Sequence, residues 1–542
     1  MKKIINHSIE ITFSIKIIED FKKFIEKNAN FFVAIILIVI SIYSFDTYFR
    51  NGLALAYNDA RSHLDIGRRV VEGLKPGLAQ LGSVWLPLPH FLMIPTIWID
   101  FFWHSGLSGA IQSMVSYVFC GVLIYSYLKK LKVGVFGRIL GVSVFALNLN
   151  VFYLTSTAMT ELLLLATMTA TAYFLMSWHR DGKLLDLIKS AFFVMLSTLV
   201  RYDGWFLLGV VVALLAFNLI SEKGYKEAEG KVILFVTLGF FGIFLWFLWN
   251  ILIFGDPLYF ALGPFSAHAQ QAQIFEAGEL FTKGNLYLSI KAYLYALFYN
   301  TYTVMAFLGA GGAYLLWRDS KINKGVRISS LALIAPLAFN ILALYLGHSV
   351  LFVRGVMGDT WFNVRYGMML MPSIAIFVGF LVDRLKNFRF VTTGLFVFVT
   401  FFAILSGDVV TIEDALIGAS GKNVAEVSGW LKENVADEPG FVLISVASHD
   451  AIIFSSGLPM KKFIHEGTGK YWKEATESPQ IWASWIVMRT NDVNDMAFKD
   501  LKDTNWENYY NLVNHYPFAD IYELKPEYRA SVQTKPVLAN NK

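Results

Sequence analysis

The sequence predicts a polytopic α-helical membrane protein that carries a small α/β domain at its C-terminal end. Three observations predict it. Of 542 residues, 56% are hydrophobic and 16% charged, where a soluble domain carries about a quarter charged residues. Long apolar runs recur from Phe31 to Ile404, as membrane-spanning helices require. From about residue 408 the composition turns soluble, and the remaining chain suffices for one small domain. The formal net charge of +5 decides little, because in a membrane protein the placement of charge matters more than its sum. The single cysteine, Cys120, lies in an apolar run and makes no internal disulfide.

Residues 1–30 form an N-terminal segment with Lys22, Lys23 and Lys27 beside the first span, which predicts a cytoplasmic N-terminus. No small-residue cleavage site follows the first apolar run, so it reads as an anchor and not a removable signal. The first span covers about 31–49. Residues 50–106 then form a long outer loop. Within it, DARSHLDIGRRVVEGL has the period of an amphipathic helix, ended by Lys75-Pro76-Gly77. SVWLPLPHFLMIPTIWIDFFW is apolar enough to cross, but Pro87, Pro89 and Pro95 interrupt it. We read it as an outer-surface helix. The other spans are then expected at about 107–128, 135–155, 160–178, 187–200, 204–221, 231–254, 288–317, 328–347, 366–383 and 389–407, about eleven with the first. This assignment places every basic cluster, from Lys129/Lys130/Lys132/Arg138 to Arg384/Lys386/Arg389, on the cytoplasmic side. It makes 31–407 a transmembrane domain and 408–542 a soluble extracytoplasmic domain of a multi-pass cell-membrane protein. The loop at 255–287 is long enough for a surface helix or lid. In the last domain KNVAEVSGWLKENV reads as an amphipathic helix, and FVLISVA (441–447) and SWIVMR (484–489) as strands.

The unusual polar chemistry collects at the outer connections. Asp59, in Tyr-Asn-Asp-Ala, follows the first span; it serves equally as a general base, a cation ligand or an N-cap for the helix after it. Glu161 stands at the outer end of a span, where it is either a functional acid or a first-turn carboxylate favoured by the helix dipole. Arg201-Tyr202-Asp203 punctuates two apolar runs. Arg354 precedes Arg365-Tyr366, which opens a late span. Arginines converging from several spans suit a phosphate or diphosphate, whereas a lone one more often reaches towards lipid headgroups. Trp85, Pro87, Pro89 and His90 shape either a rigid apolar groove or an interfacial anchor. Asp256 reads as a turn residue. His449-Asp450 and His465-Glu466 read as loop pairs of a small α/β fold. No Walker loop, dinucleotide fingerprint, HExxH or paired CxxC occurs, and nothing points to nucleic acid.

Taken in order, these features resemble the integral-membrane GT-C glycosyltransferases. They come nearest to the branch of the protein O-mannosyltransferases and the lipid A aminoarabinose transferase. The resemblance covers roughly 31–407 and rests on Asp59 in YNDARSHLDIGRRV, the proline-bearing VWLPLPHFLM, Glu161 in STAMTEL, and Arg365-Tyr366 ahead of Pro372. Two departures are Ala60, where the branch has a second acid, and Pro-Leu-Pro in place of Pro-Pro-Leu. The resemblance implies a polyprenyl-phosphate sugar donor, an acceptor hydroxyl on lipid, glycan or protein, and inverting transfer at the outer face of the bilayer. Asp59 becomes the base. Glu161 becomes a second acid that positions substrate or helps to hold a cation. Arg365, with Arg201, stabilises the departing lipid phosphate, and Arg61 and Lys75 are further phosphate contacts. His90, Asp203, Arg354 and Tyr366 complete the expected substrate-binding set. No metal ligand is assigned. A divalent cation is the one cofactor the acids admit, with Asp59, Glu161 and Asp203 as oxygen ligands; without a tight acidic cluster, metal independence is the expectation. The alternative function is a transporter or flippase of a lipid-linked precursor, which would place ionisable groups near mid-span and show paired repeats.

Overall fold

The computed structural model describes residues 24, 26–263, 266–276, 278–417 and 424–536. The expectation for Lys22, Lys23 and most of the N-terminal segment lies outside the described residues. Among the described residues eight helical segments are long and apolar enough to cross a membrane: Ala29–Arg50, Leu107–Lys130, Glu161–Asp181, Asp203–Lys223, Tyr225–Phe254, Lys324–Leu346, Val364–Arg384 and Lys386–Ile417, the last made of the long helix Arg389–Ser406 and, after a turn at Gly407, the short helix Val410–Ile417. The protein is a multi-pass membrane protein. The other three expected spans are shorter or broken. Two helices, Val135–Ala146 and Leu149–Leu154, occupy 135–155, and Leu184–Thr198 occupies the short one. The run at 288–317 is not one helix: Tyr302 adopts φ 63 and divides it into Leu286–Thr301 and Thr303–Arg318.

The basic clusters share one end of this bundle. There Lys130 pairs with Asp181, Gly134 N–H donates to Asp383 at 2.8 Å, and Arg384 meets Asp319 at 2.9 Å. The opposite end carries the first-loop helix Asn58–Val71 and the proline-bearing helix Leu88–Ile97 that packs on it. Pro87 and Pro89 start that second helix, whose ten residues span only half of a typical hydrocarbon core. The loop at 255–287 contains two short helices, Tyr259–Leu262 and Ala267–Glu276.

The C-terminal region folds around a five-stranded sheet in the order Phe463–Ile464, Phe441–Ile444, Ala483–Met488, Asp520–Leu524, Tyr510–His515. The first three strands are parallel, and the last two pair antiparallel. Phe441–Ile444 and Ala483–Met488 are buried along their whole length, as central parallel strands covered on both faces must be. The helix Val446–Ser456 leaves the first of them and packs directly on the first-loop helix.

Candidate functional site

An alternating chain of charge organises the bundle end opposite the basic clusters. Asp59 Oδ2 accepts from Arg365 Nη2 at 2.5 Å. Arg365 Nε donates to Glu161 Oε1 at 3.0 Å, and the same oxygen accepts from Arg201 Nη1 at 3.3 Å. Arg201 Nε in turn reaches Asp203 Oδ2 at 3.4 Å. Tyr366 lies under both guanidinium groups, 4.7 Å from Arg201 and 5.4 Å from Arg365. Exposure separates the members. The side chains of Arg365 and Glu161 are 3% and 0% exposed, whereas Asp59 is 35% and Arg201 21% exposed. The buried middle of the chain thus holds an accessible carboxylate on one side and an accessible guanidinium on the other.

Backbone geometry explains how two arginines from distant segments arrive together. Each belongs to an Arg-Tyr sequence followed closely by glycine. A Cβ at Gly204 would lie 2.3 Å from the backbone of Ser197, and one at Gly367 would lie 2.2 Å from the backbone of Ala296. Only glycine permits these approaches. Asn363 turns the chain into the site with φ 56, and Asn300 Nδ2 holds the Val364 carbonyl at 2.7 Å. Asp59 does not cap its helix: the N-cap is Tyr57, with no side-chain capping bond. Of the three readings of Asp59, the cap is therefore removed.

Two members were not legible in the sequence. Asp414, fully buried on the helix Val410–Ile417, lies 3.7 Å from Arg365 Nη1 and accepts from the Tyr57 hydroxyl at 3.1 Å. Tyr57 also donates to the Thr411 carbonyl at 2.8 Å, and its ring lies 4.9 Å from the Arg365 guanidinium. Burial first, and the Asp414 charge next, hold the Tyr57 hydroxyl well above its usual pKa, so it remains a neutral donor. Asn150 fixes this helix by accepting from both the N–H and the hydroxyl of Thr411. Glu413-Asp414 at the boundary of the last apolar run was the available signal.

The other expected residues stand apart from this chain. Arg61 turns to the Leu55 carbonyl at 2.9 Å and to Ser455 Oγ at 3.2 Å. His90 Nε2 lies 2.9 Å from His63 Nδ1, and His63 stacks 4.3 Å from Trp85. Burial, with Arg201 and Arg365 nearby, pulls the pKa of His63 down to about 3, so this pair is uncharged. Lys75 lies beside Gly469 of the C-terminal region. Arg354 is exposed beside a short hairpin formed by Phe352–Val353 and Met357–Phe362. Among the described residues no three His, Cys, Asp or Glu side chains are arranged to hold a metal ion. One oxygen of each acid, Asp59 Oδ2 and Glu161 Oε1, faces guanidinium protons, while Glu161 Oε2 has no hydrogen-bond partner.

The chain matches no protein-family model and no curated protein sequence. Its fold does have solved counterparts. It superposes on ArnT from Cupriavidus metallidurans, solved bound to undecaprenyl phosphate, with a TM-score of 0.55 and 10% identity over 92% of this chain and 98% of that one. The chain shares the fold of ArnT. The archaeal oligosaccharyltransferase AglB from Archaeoglobus fulgidus, solved with an inhibitory peptide and a dolichol phosphate, gives a TM-score of 0.48 at 10% identity, covering 85% of this chain and 69% of that one. The fold shared with ArnT agrees with the expectation from the sequence motifs.

Proposed function

We propose that this GT-C chain is a glycosyltransferase that moves a sugar from a polyprenyl-phosphate carrier to an acceptor hydroxyl, with inversion. The observation that carries the reading is the alternating chain whose partly exposed members are a carboxylate and a guanidinium. Transfer from a lipid phosphate needs both: a base for the acceptor and a cation for the departing phosphate. The shared fold with ArnT bound to undecaprenyl phosphate supports the class of donor.

In this reading Asp59 takes the proton of the acceptor hydroxyl. The acceptor oxygen attacks the anomeric carbon, and the bond from that carbon to the phosphate oxygen breaks with its electron pair leaving on the phosphate. The proton ends on Asp59 and the sugar on the acceptor, and polyprenyl phosphate departs. Arg201, the more exposed guanidinium, meets the phosphate. Arg365 is neutralised by Asp59, Glu161 and Asp414, so it orients the base and is a poorer phosphate ligand. Glu161 ties the two arginines together, and Asp203 holds Arg201 from its other side. The bundle end bearing this site, with the C-terminal domain, faces the outside. The end bearing the basic clusters faces the cytoplasm, as positive charge favours. The acceptor is a lipid, glycan or protein hydroxyl.

The test is transfer by protein reconstituted into liposomes. A panel of radiolabelled polyprenyl-phosphate sugars is supplied with a native membrane extract as acceptor. Label moving to acceptor with stoichiometric release of polyprenyl phosphate is the expected result. A folded protein that transfers no member of a broad panel contradicts the reading.

A further inference from the structure

One turn along the first-loop helix from Asp59 stands His63, four residues on and so on the same face. Two neighbours fix its ring. His63 Nδ1 lies 2.9 Å from His90 Nε2, and the Trp85 ring lies 4.3 Å away. The loop bearing Trp85 is itself tied down on both sides of Arg201. The Leu88 N–H donates to the Leu199 carbonyl at 3.0 Å, and the Tyr202 hydroxyl donates to the Val84 carbonyl at 3.1 Å. Trp249 Nε1 donates to the Gly82 carbonyl at 3.0 Å. His63 thus stands between Asp59 on its own helix and a loop anchored at residues flanking Arg201. Those two are the partly exposed members of the alternating chain.

The proton positions follow from what is left unpaired. Burial, with the Arg201 and Arg365 charges, keeps His63 neutral, and burial does the same for His90. Each ring therefore carries one N–H and one bare nitrogen. His90 is fully buried, and its Nδ1 has no hydrogen-bond partner. Proteins leave buried acceptors unpaired more readily than buried N–H groups, so Nδ1 is the bare nitrogen of His90 and Nε2 carries its proton. His90 then donates to His63 Nδ1, and the proton of His63 is left on Nε2. Among the described residues that Nε2 has no hydrogen-bond partner, and unlike His90 Nδ1 it is not sealed from solvent.

We propose that His63 is a substrate-binding residue whose Nε2–H donates to a phosphate oxygen of the polyprenyl-phosphate donor beside Arg201, and that His90 is the positioning residue that keeps the proton there. This rests on the donor class proposed above. The fixed tautomer favours phosphate over sugar. A phosphate oxygen offers only lone pairs and needs the N–H, whereas a sugar hydroxyl, donor and acceptor at once, is served by either tautomer. A neutral ring adds a donor without adding a charge. As negative charge builds on the departing phosphate, Arg201 and this preorganised N–H both bind it more strongly. His90, expected from the sequence to touch substrate, acts from behind His63.

The experiment is native mass spectrometry of the full chain in detergent, titrated with undecaprenyl phosphate and, as control, undecaprenol. Two variants separate the ring nitrogens. His63→Gln sets an amide N–H near the place of Nε2, whereas His63→Asn reaches only the place of Nδ1 and keeps the contact with His90. The proposal predicts that undecaprenyl phosphate binds about 10–100-fold more weakly to His63→Ala and His63→Asn, and nearly as well as to the parent in His63→Gln. Undecaprenol should bind alike throughout. His90→Gln keeps an N–H for His63 Nδ1 and should bind like the parent, whereas His90→Ala should lose affinity for undecaprenyl phosphate alone. Three results overturn the proposal: undecaprenyl phosphate held as tightly by His63→Ala as by the parent, recovery in His63→Asn and not in His63→Gln, or an equal loss of undecaprenol. A parent protein that binds no undecaprenyl phosphate contradicts the donor class itself, so the two failures are distinguishable.

Discussion

The two halves of the first-loop helix are built from the same chemical groups and end in opposite conditions. At its start, two guanidiniums, Arg365 and Arg201, face four carboxylates, Asp59, Glu161, Asp203 and Asp414, and two members of the set remain accessible. Six residues on, one guanidinium faces two carboxyls, and the whole set is closed off between two domains. Both have more acid than base. In the closed set the surplus carboxyl, Asp65, is shut away from solvent and held by the Trp103 indole N–H at 3.0 Å. In the open set the surplus carboxylate reaches solvent, and a carboxylate that reaches solvent is free to take a proton from a substrate. Exposure, more than composition, separates the part suited to chemistry from the part suited to support.

That contrast can be broken most forcefully at Arg365. Arg365→Ala leaves Glu161 and Asp414, both fully buried, without their main counter-charge. Stranding a buried partner costs about 3–5 kcal/mol, so thermal unfolding in detergent should fall by many degrees and transfer should vanish. A near-normal unfolding midpoint would mean that the open set is not held by Arg365. Asp414→Asn is a finer probe. It removes a charge from Arg365 but keeps an acceptor for Tyr57, so the unfolding midpoint should hold while kcat falls about tenfold. An unchanged rate would place Asp414 outside the working set. The smallest effect belongs to Arg354→Ala. That side chain is exposed, and loss of a lone surface charge is worth within about 0.5 kcal/mol. Rate and stability should both stay at parental values; a large loss of donor affinity would restore Arg354 to the substrate-binding set.

Much of the open set was legible because charge at an apolar boundary is uncommon and conspicuous. Asp59, Glu161, Arg201, Asp203 and Arg365 all interrupt hydrophobic runs, and those five form the alternating chain. Asp414 escaped because the shift to soluble composition near residue 408 marks its segment as the start of another domain. The chain instead turns at Gly407, φ 63, and the helix Val410–Ile417 folds back onto the bundle. Tyr302 escaped for a related reason. The break in the 288–317 run occurs at a tyrosine with a left-handed backbone, with no glycine or proline to announce it. In the C-terminal sheet the two central strands were readable from their apolar runs. Phe463–Ile464, two residues long, and the edge strand Tyr510–His515, largely exposed, carry too little pattern to be read alone. The ion pair between Arg69 and Asp450 was invisible for a deeper reason: the two are 381 positions apart, and neither is unusual on its own helix.

The most direct measurement of the central claim is sugar transfer from polyprenyl phosphate by reconstituted protein, compared with Asp59→Asn. This change keeps the shape of the side chain and an acceptor for Arg365 while removing the basic carboxylate. The account predicts labelled product from the parent protein, a loss of about 10²–10⁴ in kcat for Asp59→Asn, and little change in its unfolding temperature. Equal rates from the two proteins would contradict it, since the one exposed acid of the alternating chain would then have no part in the chemistry.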